Sequence, residues 1–302
     1  SPVAYWVTKK FIAQFLKPSI LSGFAFKRGI ATGNNPLFLR YWYEVSIEKS
    51  TLKSNGKKWF PYNKGGEYRK WYGNREYFVN WENNGYEIRN FRNEKGRQGS
   101  RPQNIDYNFA PNISYSSLTS GPLSFREYIG FINDQAGNYF VAKKNYDRYV
   151  AMALLNSSVA QYCIKLKNNT LNTTEDDFNS IPLVDIDNKE IIRGLTTANI
   201  TLSKDDWDAF ETSWDFQKHP LICQRTTIAD SYDYWQSECE NRFKQLKSNE
   251  EELNRIFINI YGLQDELTPE EDDKYVTVRK ADLGRDIRSF ISYAVGCMFG
   301  RY

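Results

Sequence analysis

The chain has 302 residues, of which 40% are hydrophobic, enough to bury the core of one large or two medium domains. No apolar run reaches the length of a membrane span, and the start Ser1-Pro2-Val3-Ala4 lacks the charged and apolar regions of a signal peptide. We therefore expect a cytoplasmic protein with no membrane contact. Four scattered cysteines and a single histidine, His219, argue against a disulfide framework or a zinc site.

The net charge of +3 conceals two segments of opposite sign. Residues 51–101 hold twelve Lys and Arg against five acids, a net of +7, whereas residues 201–275 hold eight against eighteen, a net of −10. The basic segment is suited to approach an anion, and the acidic segment to face solvent or a basic partner.

The first predicted element is a helical connector over residues 1–23, because apolar residues within 4–16 recur at helical spacing before Lys17-Pro18. From residue 24 to about 145, short β-prone runs such as 38–45 and 77–81 alternate with turns rich in Asn and Gly. This pattern is typical of strands joined by long polar loops.

A dense apolar series over residues 145–167, interrupted by Asn156-Ser157-Ser158, predicts two short packed helices with a polar elbow. The chain is predicted to be mainly helical beyond Ile181-Pro182-Leu183-Val184. Within that part, Ser203 with Asp206 resembles a capping box at a helix start.

Thr268-Pro269 predicts a further helix start, with the proline at the first helical position. The last predicted helix is amphipathic, with an apolar stripe that needs a partner. The stripe consists of Leu283, Ile287, Phe290, Ile291, Ala294, Val295 and Met298. We expect an α+β protein in which a mixed α/β domain over residues 24–195 precedes a mainly helical domain over residues 196–302.

Basic, amide and aromatic side chains interleave between Trp59 and Tyr107. The cations are suited to neutralise DNA phosphates, and an amide can read an adenine edge with two hydrogen bonds. The candidate DNA-binding residues are Lys64, Arg69, Lys70, Arg75, Arg89, Arg92, Arg97, Arg101, Gln103 and Asn104. The alternative is that the aromatic rings serve packing and that part of the arginines pair with nearby glutamates.

Two regions resemble the ends of target-recognition domains in fused restriction-modification methyltransferases. Residues 28–35, RGIATGNN, are similar to the G-I-x-T-G-x-N motif at the start of such domains. Leu154-Leu155-Asn156-Ser157, followed by Leu171-Asn172 and Ile181-Pro182-Leu183, is similar to the L-L-N-S, L-N and I-P-L series at their end. The two regions bracket the basic run, so the resemblance makes residues 24–195 a target-recognition domain.

Three further segments narrow the resemblance. They are residues 58–74, KWFPYNKGGEYRKWYGN; Ser213-Trp214-Asp215-Phe216 with His219-Pro220-Leu221; and residues 292–302, SYAVGCMFGRY. On these segments the chain resembles the PglX-type adenine-specific DNA methyltransferases of the BREX phage-defence system. The resemblance covers nearly the whole chain, but only the part of such proteins that follows the catalytic domain.

This resemblance implies that the chain is the sequence-recognition region of an enzyme that methylates adenine N6 at a non-palindromic site to mark host DNA. It implies three partners: double-stranded DNA, the methyltransferase catalytic domain, and other phage-defence proteins. It also implies that S-adenosylmethionine binds outside this chain, so that no cofactor belongs to the chain itself.

The motifs of adenine methylation are missing from the sequence. Such enzymes bind the extruded adenine with an Asn/Asp-Pro-Pro-aromatic loop, whereas Asn35-Pro36-Leu37-Phe38 lacks the second proline. No Gly-x-Gly cofactor turn follows a predicted strand, and Lys64-Gly65-Gly66-Glu67 is typical of a loop. We therefore expect no catalytic, cofactor-binding or metal-binding residue in this chain.

Two other classes of function fit part of the pattern. Trp, Tyr and Asn on β-rich loops also suit a carbohydrate-binding module, although the arginines and the missing secretion signal count against it. The acidic helical half with its apolar stripe suits a protein-interaction module, which is compatible with DNA recognition elsewhere in the chain.

Overall fold

The computed structural model describes residues 9–52, 58–117, 119, 121–168, 170, 173–184, 186 and 189–301. The strands are β1 (Phe24–Lys27), β2 (Leu39–Tyr41), β3 (Trp59–Asn63), β4 (Tyr77–Asn80), β5 (Asn112–Ser116), β6 (Phe125–Tyr128), β7 (Ile132–Asn133) and β8 (Gly137–Ala142). The helices are α1 (Lys9–Gln14), α2 (Ile20–Gly23), α3 (Asn35–Phe38), α4 (Glu82–Arg89), α5 (Arg148–Asn156), α6 (Ser158–Lys167), α7 (Lys189–Asp208), α8 (Ile228–Tyr261) and α9 (Leu283–Met298).

The strands form two four-stranded sheets. The first has the order β1-β8-β5-β6 and is antiparallel throughout. The second has the order β2-β4-β3-β7, in which β7 pairs with β3 in parallel and the other pairs are antiparallel. Together with the C-terminal helices, these sheets confirm the predicted α+β class.

The largest hydrophobic core joins the first sheet to the helices. Rings of the sheet such as Phe140 and Phe125 pack around Phe178, which is fully buried. The same core includes residues of α5, α6 and α8, among them Leu155 and Phe257. It therefore extends to both sides of residue 195, where the boundary between two domains stays a prediction.

The polar elbow between α5 and α6 is confirmed. The Asp147 carboxylate accepts a hydrogen bond from the Tyr149 backbone N–H (2.9 Å) and caps α5. The Ser157 hydroxyl donates to the Leu154 carbonyl at 2.7 Å, which closes α5, and it accepts from the Ala160 N–H at the start of α6. Each helix thus begins at its own polar N-cap.

The predicted strand over residues 38–45 is wrong in part, whereas the run at 77–81 does contain β4. Only Leu39–Tyr41 is extended, and Trp42–Glu44 forms a 3-10 turn. The Glu44 carboxylate accepts the Tyr41 backbone N–H at 2.7 Å, and the Trp42 indole donates to the Thr212 carbonyl at 3.0 Å. These contacts replace the sheet hydrogen bonds that a longer strand would make.

The two predicted helix starts in the C-terminal half are also wrong. Ser203 and Asp206 lie inside α7, and both side chains are buried. No helix begins at Thr268-Pro269. The last predicted helix, by contrast, is α9. In the described part of the chain, no helix has the length and apolar character needed to cross a membrane.

Candidate nucleic-acid interface

Residues 89–101, here called the basic hairpin, consist of the last residue of α4 and the loop that follows it. The Gly99 N–H donates to the Phe91 carbonyl and the Asn93 N–H to the Arg97 carbonyl, each at 2.9 Å. At the tip, the Asn93 side-chain oxygen accepts the N–H groups of Lys95 (3.0 Å) and Arg97 (3.1 Å). An asparagine that closes its own turn in this way fixes the backbone of the loop.

The cations of the basic hairpin are exposed and unpaired. They are Arg89, Arg92, Lys95, Arg97 and Arg101. Glu94 is the one acid within residues 89–101, so five cations face one acid and the hairpin carries a net charge of +4. None of the five forms an ion pair with another described residue. Their charges are therefore available to an external anion.

The base of the hairpin is held by residues 28–35, the segment that resembles the start of a target-recognition domain. Ala31 and Arg101 exchange backbone hydrogen bonds of 3.0 and 2.8 Å. Gly33 has a φ of +76°, and a Cβ there would lie 2.2 Å from the Gly99 carbonyl oxygen. Because only glycine permits both this backbone conformation and this close approach, Gly33 fixes how the hairpin leaves the domain.

Gln103 and Asn104 tie the next segment to the same motif. The Gln103 Nε2 donates to the Gly29 carbonyl at 2.8 Å, and the Asn104 Nδ2 donates to the Arg28 carbonyl at 2.9 Å. Asn104 has a left-handed backbone, with φ of +53°. Each NH2 group thus has one backbone partner, which leaves its second N–H and the amide oxygen for a bidentate contact to an adenine.

Three of the predicted DNA-binding cations have partners inside the protein: Arg69, Lys70 and Arg75. Lys70 is 3% exposed, and its Nζ lies 3.0 Å from Glu250 and 2.9 Å from Glu271. Arg69 lies 3.3 Å from the Asp206 carboxylate, itself fully buried.

Arg75 is half-buried, and it donates to the Glu127 carbonyl at 2.8 Å with its guanidinium 3.7 Å from the centre of the Tyr72 ring. Lys64 is half-buried as well, with its Nζ 5.0 Å from the centre of the Tyr77 ring. These two cations, like Arg69 and Lys70, are therefore less accessible to an external anion than the cations of the basic hairpin.

The excess of seven positive charges in residues 51–101 overstates how many cations are unpaired, because part of the acids that balance them lie elsewhere in the sequence. The partners of Arg69 and Lys70 are Asp206, Glu250 and Glu271, all within the acidic segment 201–275. A count of nearby acids along the chain misses partners that the fold brings from more than 130 positions away. The acidic segment thus meets a basic partner within the same chain.

The electrostatics of these buried pairs differ from site to site. Burial by itself lowers the pKa of Lys70, but Glu250, Tyr68 and Glu271 together raise it above its usual range, so the side chain stays charged. Burial lowers the pKa of Arg279 to about 10, although the Asp206 carboxylate opposes the shift. The pairs of Lys70 join the basic segment to the helical half, whereas the pair of Arg279 with Asp206 lies within the helical half.

Asn35-Pro36-Leu37-Phe38 is a helical turn, α3, and not an adenine-binding loop. Asn34 caps it by accepting the Leu37 N–H at 3.1 Å, and Asn35 accepts the Thr32 hydroxyl at 2.6 Å. Phe38 is 1% exposed, and its ring packs edge-on against Phe91 of the basic hairpin. The ring is therefore not available to stack on a nucleobase.

The apolar stripe of α9 is only half covered by the chain itself. Ile287 and Phe290 pack against a small core that contains Phe210 and Trp235. Further along the helix, Ile291 and Val295 are exposed, and Met298 and the adjacent Phe299 are each 85% exposed. The second half of the helix thus presents an apolar face with no cover among the described residues.

Comparison with known proteins places the chain in a family. The adenine-specific methyltransferase PglX of Lacticaseibacillus casei (strain Zhang) is 40% identical over 321 residues, and the adenine-specific methyltransferase BrxX of Escherichia coli O9:H4 (strain HS) is 34% identical over 325 residues. Each alignment covers 100% of this chain but 26% of the relative, so the chain spans about a quarter of their length.

No protein-family model matches the chain. Among solved structures, the Type IIL restriction-modification enzyme MmeI in complex with DNA aligns with 83% of this chain and 34% of its own, with a TM-score of 0.49 and 13% identity. The assignment rests on the two methyltransferases. The chain belongs to the family of PglX- and BrxX-type adenine-specific methyltransferases, and it corresponds to a portion of such a protein.

Proposed function

We propose that this chain is the DNA-recognition portion of an adenine-specific methyltransferase, and that the basic hairpin contacts the phosphates of double-stranded DNA. The observation that carries the proposal is the set of five exposed cations, unpaired within the described chain, on a loop whose backbone is fixed. Exposed Arg and Lys on an ordered loop supply the sequence-independent part of DNA affinity and hold the protein in register on the duplex.

The proposed phosphate contacts are Arg89, Arg92, Lys95, Arg97 and Arg101. Arg69, Lys70 and Arg75 are left out because they have internal partners. Gln103 and Asn104 act on the interface by holding the segment that follows the hairpin against Arg28 and Gly29.

Binding to mixed-sequence duplex DNA at two salt concentrations, beside a glycan panel, tests this proposal against the carbohydrate-binding alternative. We expect duplex binding that weakens steeply as salt rises, because each phosphate contact releases counterions. Glycan binding without duplex binding would instead support the carbohydrate module.

The methyl-transfer step is proposed to reside in the part of the family protein outside this chain. We propose that S-adenosylmethionine binds there, because this sequence lacks the adenine-binding loop and the glycine turn. Incubation of the chain with labelled S-adenosylmethionine and mixed-sequence DNA is expected to give no transfer above background. Clear methyl transfer by this chain alone would contradict the proposal that the reaction takes place outside it.

The exposed half of α9 is proposed to pack against the catalytic portion of the same family protein. An apolar face of this kind is typical of an interaction surface, and the curated relatives are about four times as long as the aligned segment. Val295→Asp with Met298→Asp is expected to abolish association with a separately expressed catalytic portion. Ile191→Asp changes an apolar residue of α7 that is 52% exposed, close to the 45% of Val295, and is the control. Equal association of both variants would contradict the proposal and leave other phage-defence proteins as the candidate partners.

A further inference from the structure

Arg126 is a buried guanidinium with no acidic partner among the described residues. The side chain extends from β6 and is 0% exposed. Its Nη1 donates to the Arg69 carbonyl (2.9 Å) and to Ser124 Oγ (3.3 Å), its Nη2 to Ser116 Oγ (3.2 Å), and its Nε to Tyr128 Oη (3.3 Å). All four acceptors are neutral, so the positive charge is hydrogen-bonded but not balanced. Such a charge is costly to bury unless an anion accompanies it.

A cavity of about 250 Å³ lies directly beyond the two serines that Arg126 contacts. Both Ser116 and Ser124 line it, together with Thr119, Gly66 and Glu67. The uncompensated charge is therefore separated from the cavity by one layer of hydroxyl groups.

The hydroxyl of Ser124 is a free donor at this wall. Its oxygen accepts the Arg69 backbone N–H (3.1 Å) and the Arg126 guanidinium, whereas its own proton has no acceptor in the described chain. The Ser116 hydroxyl, in contrast, donates to the Gly66 carbonyl at 2.8 Å. The wall thus combines one unused hydroxyl proton with a positive charge immediately behind it.

The loop after β3 supplies further donors to the lining of the cavity. Gly65 and Gly66 have φ values of +80° and +132°, which few other residues adopt. The backbone N–H groups of Gly66, Glu67 and Tyr68 donate to no atom of the residues that the structure describes. Consecutive free N–H groups on a glycine turn are a common feature of anion-binding sites.

We propose that this cavity binds a phosphate group, with Arg126 as the balancing charge and with the Ser124 hydroxyl and the Gly66–Tyr68 backbone as donors. A phosphate can come from the DNA backbone or from free inorganic phosphate, and only the first source rests on the DNA-binding function proposed above. Glu67 is the opposing charge among the residues that line the cavity, and it is exposed at the rim. Its removal is therefore expected to strengthen phosphate binding.

Isothermal titration with sodium phosphate, at an ionic strength held constant with sodium chloride, tests the site. We expect saturable binding to the wild-type chain. Ser124→Ala is expected to weaken it, and Glu67→Gln to tighten it about twofold to fivefold, the effect of one exposed like charge. Glu238→Gln removes an exposed acid of α8 and is expected to change nothing. Arg126→Met, with folding confirmed by circular dichroism, is expected to abolish binding.

Titration of the same four variants with duplex DNA separates the two sources. If duplex DNA competes with phosphate, and Ser124→Ala and Glu67→Gln shift both affinities in parallel, the site takes a backbone phosphate. If phosphate binds while these variants leave the DNA affinity unchanged, the site takes free phosphate. That outcome does not depend on whether the basic hairpin contacts DNA. Absence of saturable phosphate binding, or equal behaviour of Glu67→Gln and Glu238→Gln, would overturn the proposal.

Discussion

The ammonium group of Lys70 lies 3.0 Å from the carboxylate of Glu250, although the two residues are 180 positions apart, and neither side chain is more than 4% exposed. Glu250 also accepts the Trp71 indole N–H at 2.6 Å. These contacts fasten the loop between β3 and β4 to α8. The charge of this loop predicts that it faces DNA, whereas Lys70 and Trp71 are buried in the interior.

Lys70→Met is expected to destabilise the chain by about 3–5 kcal/mol, because it leaves Glu250 and Glu271 buried without a balancing charge. Lys244→Met removes an exposed partner of Glu240 on α8 and should cost less than about 0.5 kcal/mol. Urea unfolding of both variants measures the difference in free energy of unfolding. Similar values for the two variants would mean that the buried pair contributes no more than a surface pair.

Gly33→Ala is expected to loosen the basic hairpin, because its Cβ would collide with the Gly99 carbonyl at 2.2 Å in addition to the strain of a positive φ. Gly96→Ala is the matched control: Gly96 also has a positive φ, of +71°, but no atom lies within 4 Å of the added Cβ. The control should cost about 1–2 kcal/mol from backbone strain alone.

Limited proteolysis and urea unfolding compare the two glycine variants. We expect faster cleavage within residues 89–101 and a larger loss of unfolding free energy for Gly33→Ala. If Gly96→Ala is equally or more damaging, the close approach of Gly33 to Gly99 does not hold the hairpin.

His219 is expected to make the stability depend on pH below neutrality. Burial lowers its pKa from the usual value near 6.5, with Asp286 and Glu211 opposing the shift, and its Nδ1 accepts the Leu221 N–H at 3.2 Å. A histidine with a lowered folded-state pKa contributes its stability fully above the unfolded pKa and loses it as pH falls toward the folded value.

The free energy of unfolding of the wild type should therefore fall relative to His219→Gln as pH decreases from 7 to 5, by at most about 1.4 kcal/mol per pH unit. Subtracting the variant removes the contributions of the carboxylates, which titrate in both proteins. A difference that stays constant over this range would contradict the predicted shift of the His219 pKa.

Local patterns predict the elements that local interactions determine. The elbow at Asn156-Ser157-Ser158 appears as two capped helices, and α9 follows its apolar spacing. Ser203 and Asp206 have the spacing of a capping box, yet both lie inside α7, where the Asp206 carboxylate pairs with Arg69 and Arg279. That contact joins residues distant in sequence, and no local pattern contains it.

The same limit applies to the candidate interface. The sequence identifies the cations of residues 89–101 and the motif at 28–35, but not that Gly33 and Ala31 of this motif hold the hairpin. It likewise proposes Gln103 and Asn104 as base readers, whereas both amides bind backbone carbonyls of that motif. Exposure and long-range pairing decide which cations are free, and both depend on the tertiary structure.

The most direct test of the proposed DNA interface is the salt dependence of duplex binding by three proteins. These are the wild type, the hairpin variant Arg89→Gln/Arg92→Gln/Arg97→Gln, and a control with three exposed cations of the helical half changed, Lys218→Gln/Arg225→Gln/Arg288→Gln. Each lost phosphate contact reduces the slope of log affinity against log salt by about 0.9, so the hairpin variant should lose up to about 2.7 while the control keeps the wild-type slope. Equal slopes and affinities for the hairpin variant and the wild type would remove the basic hairpin from the DNA interface.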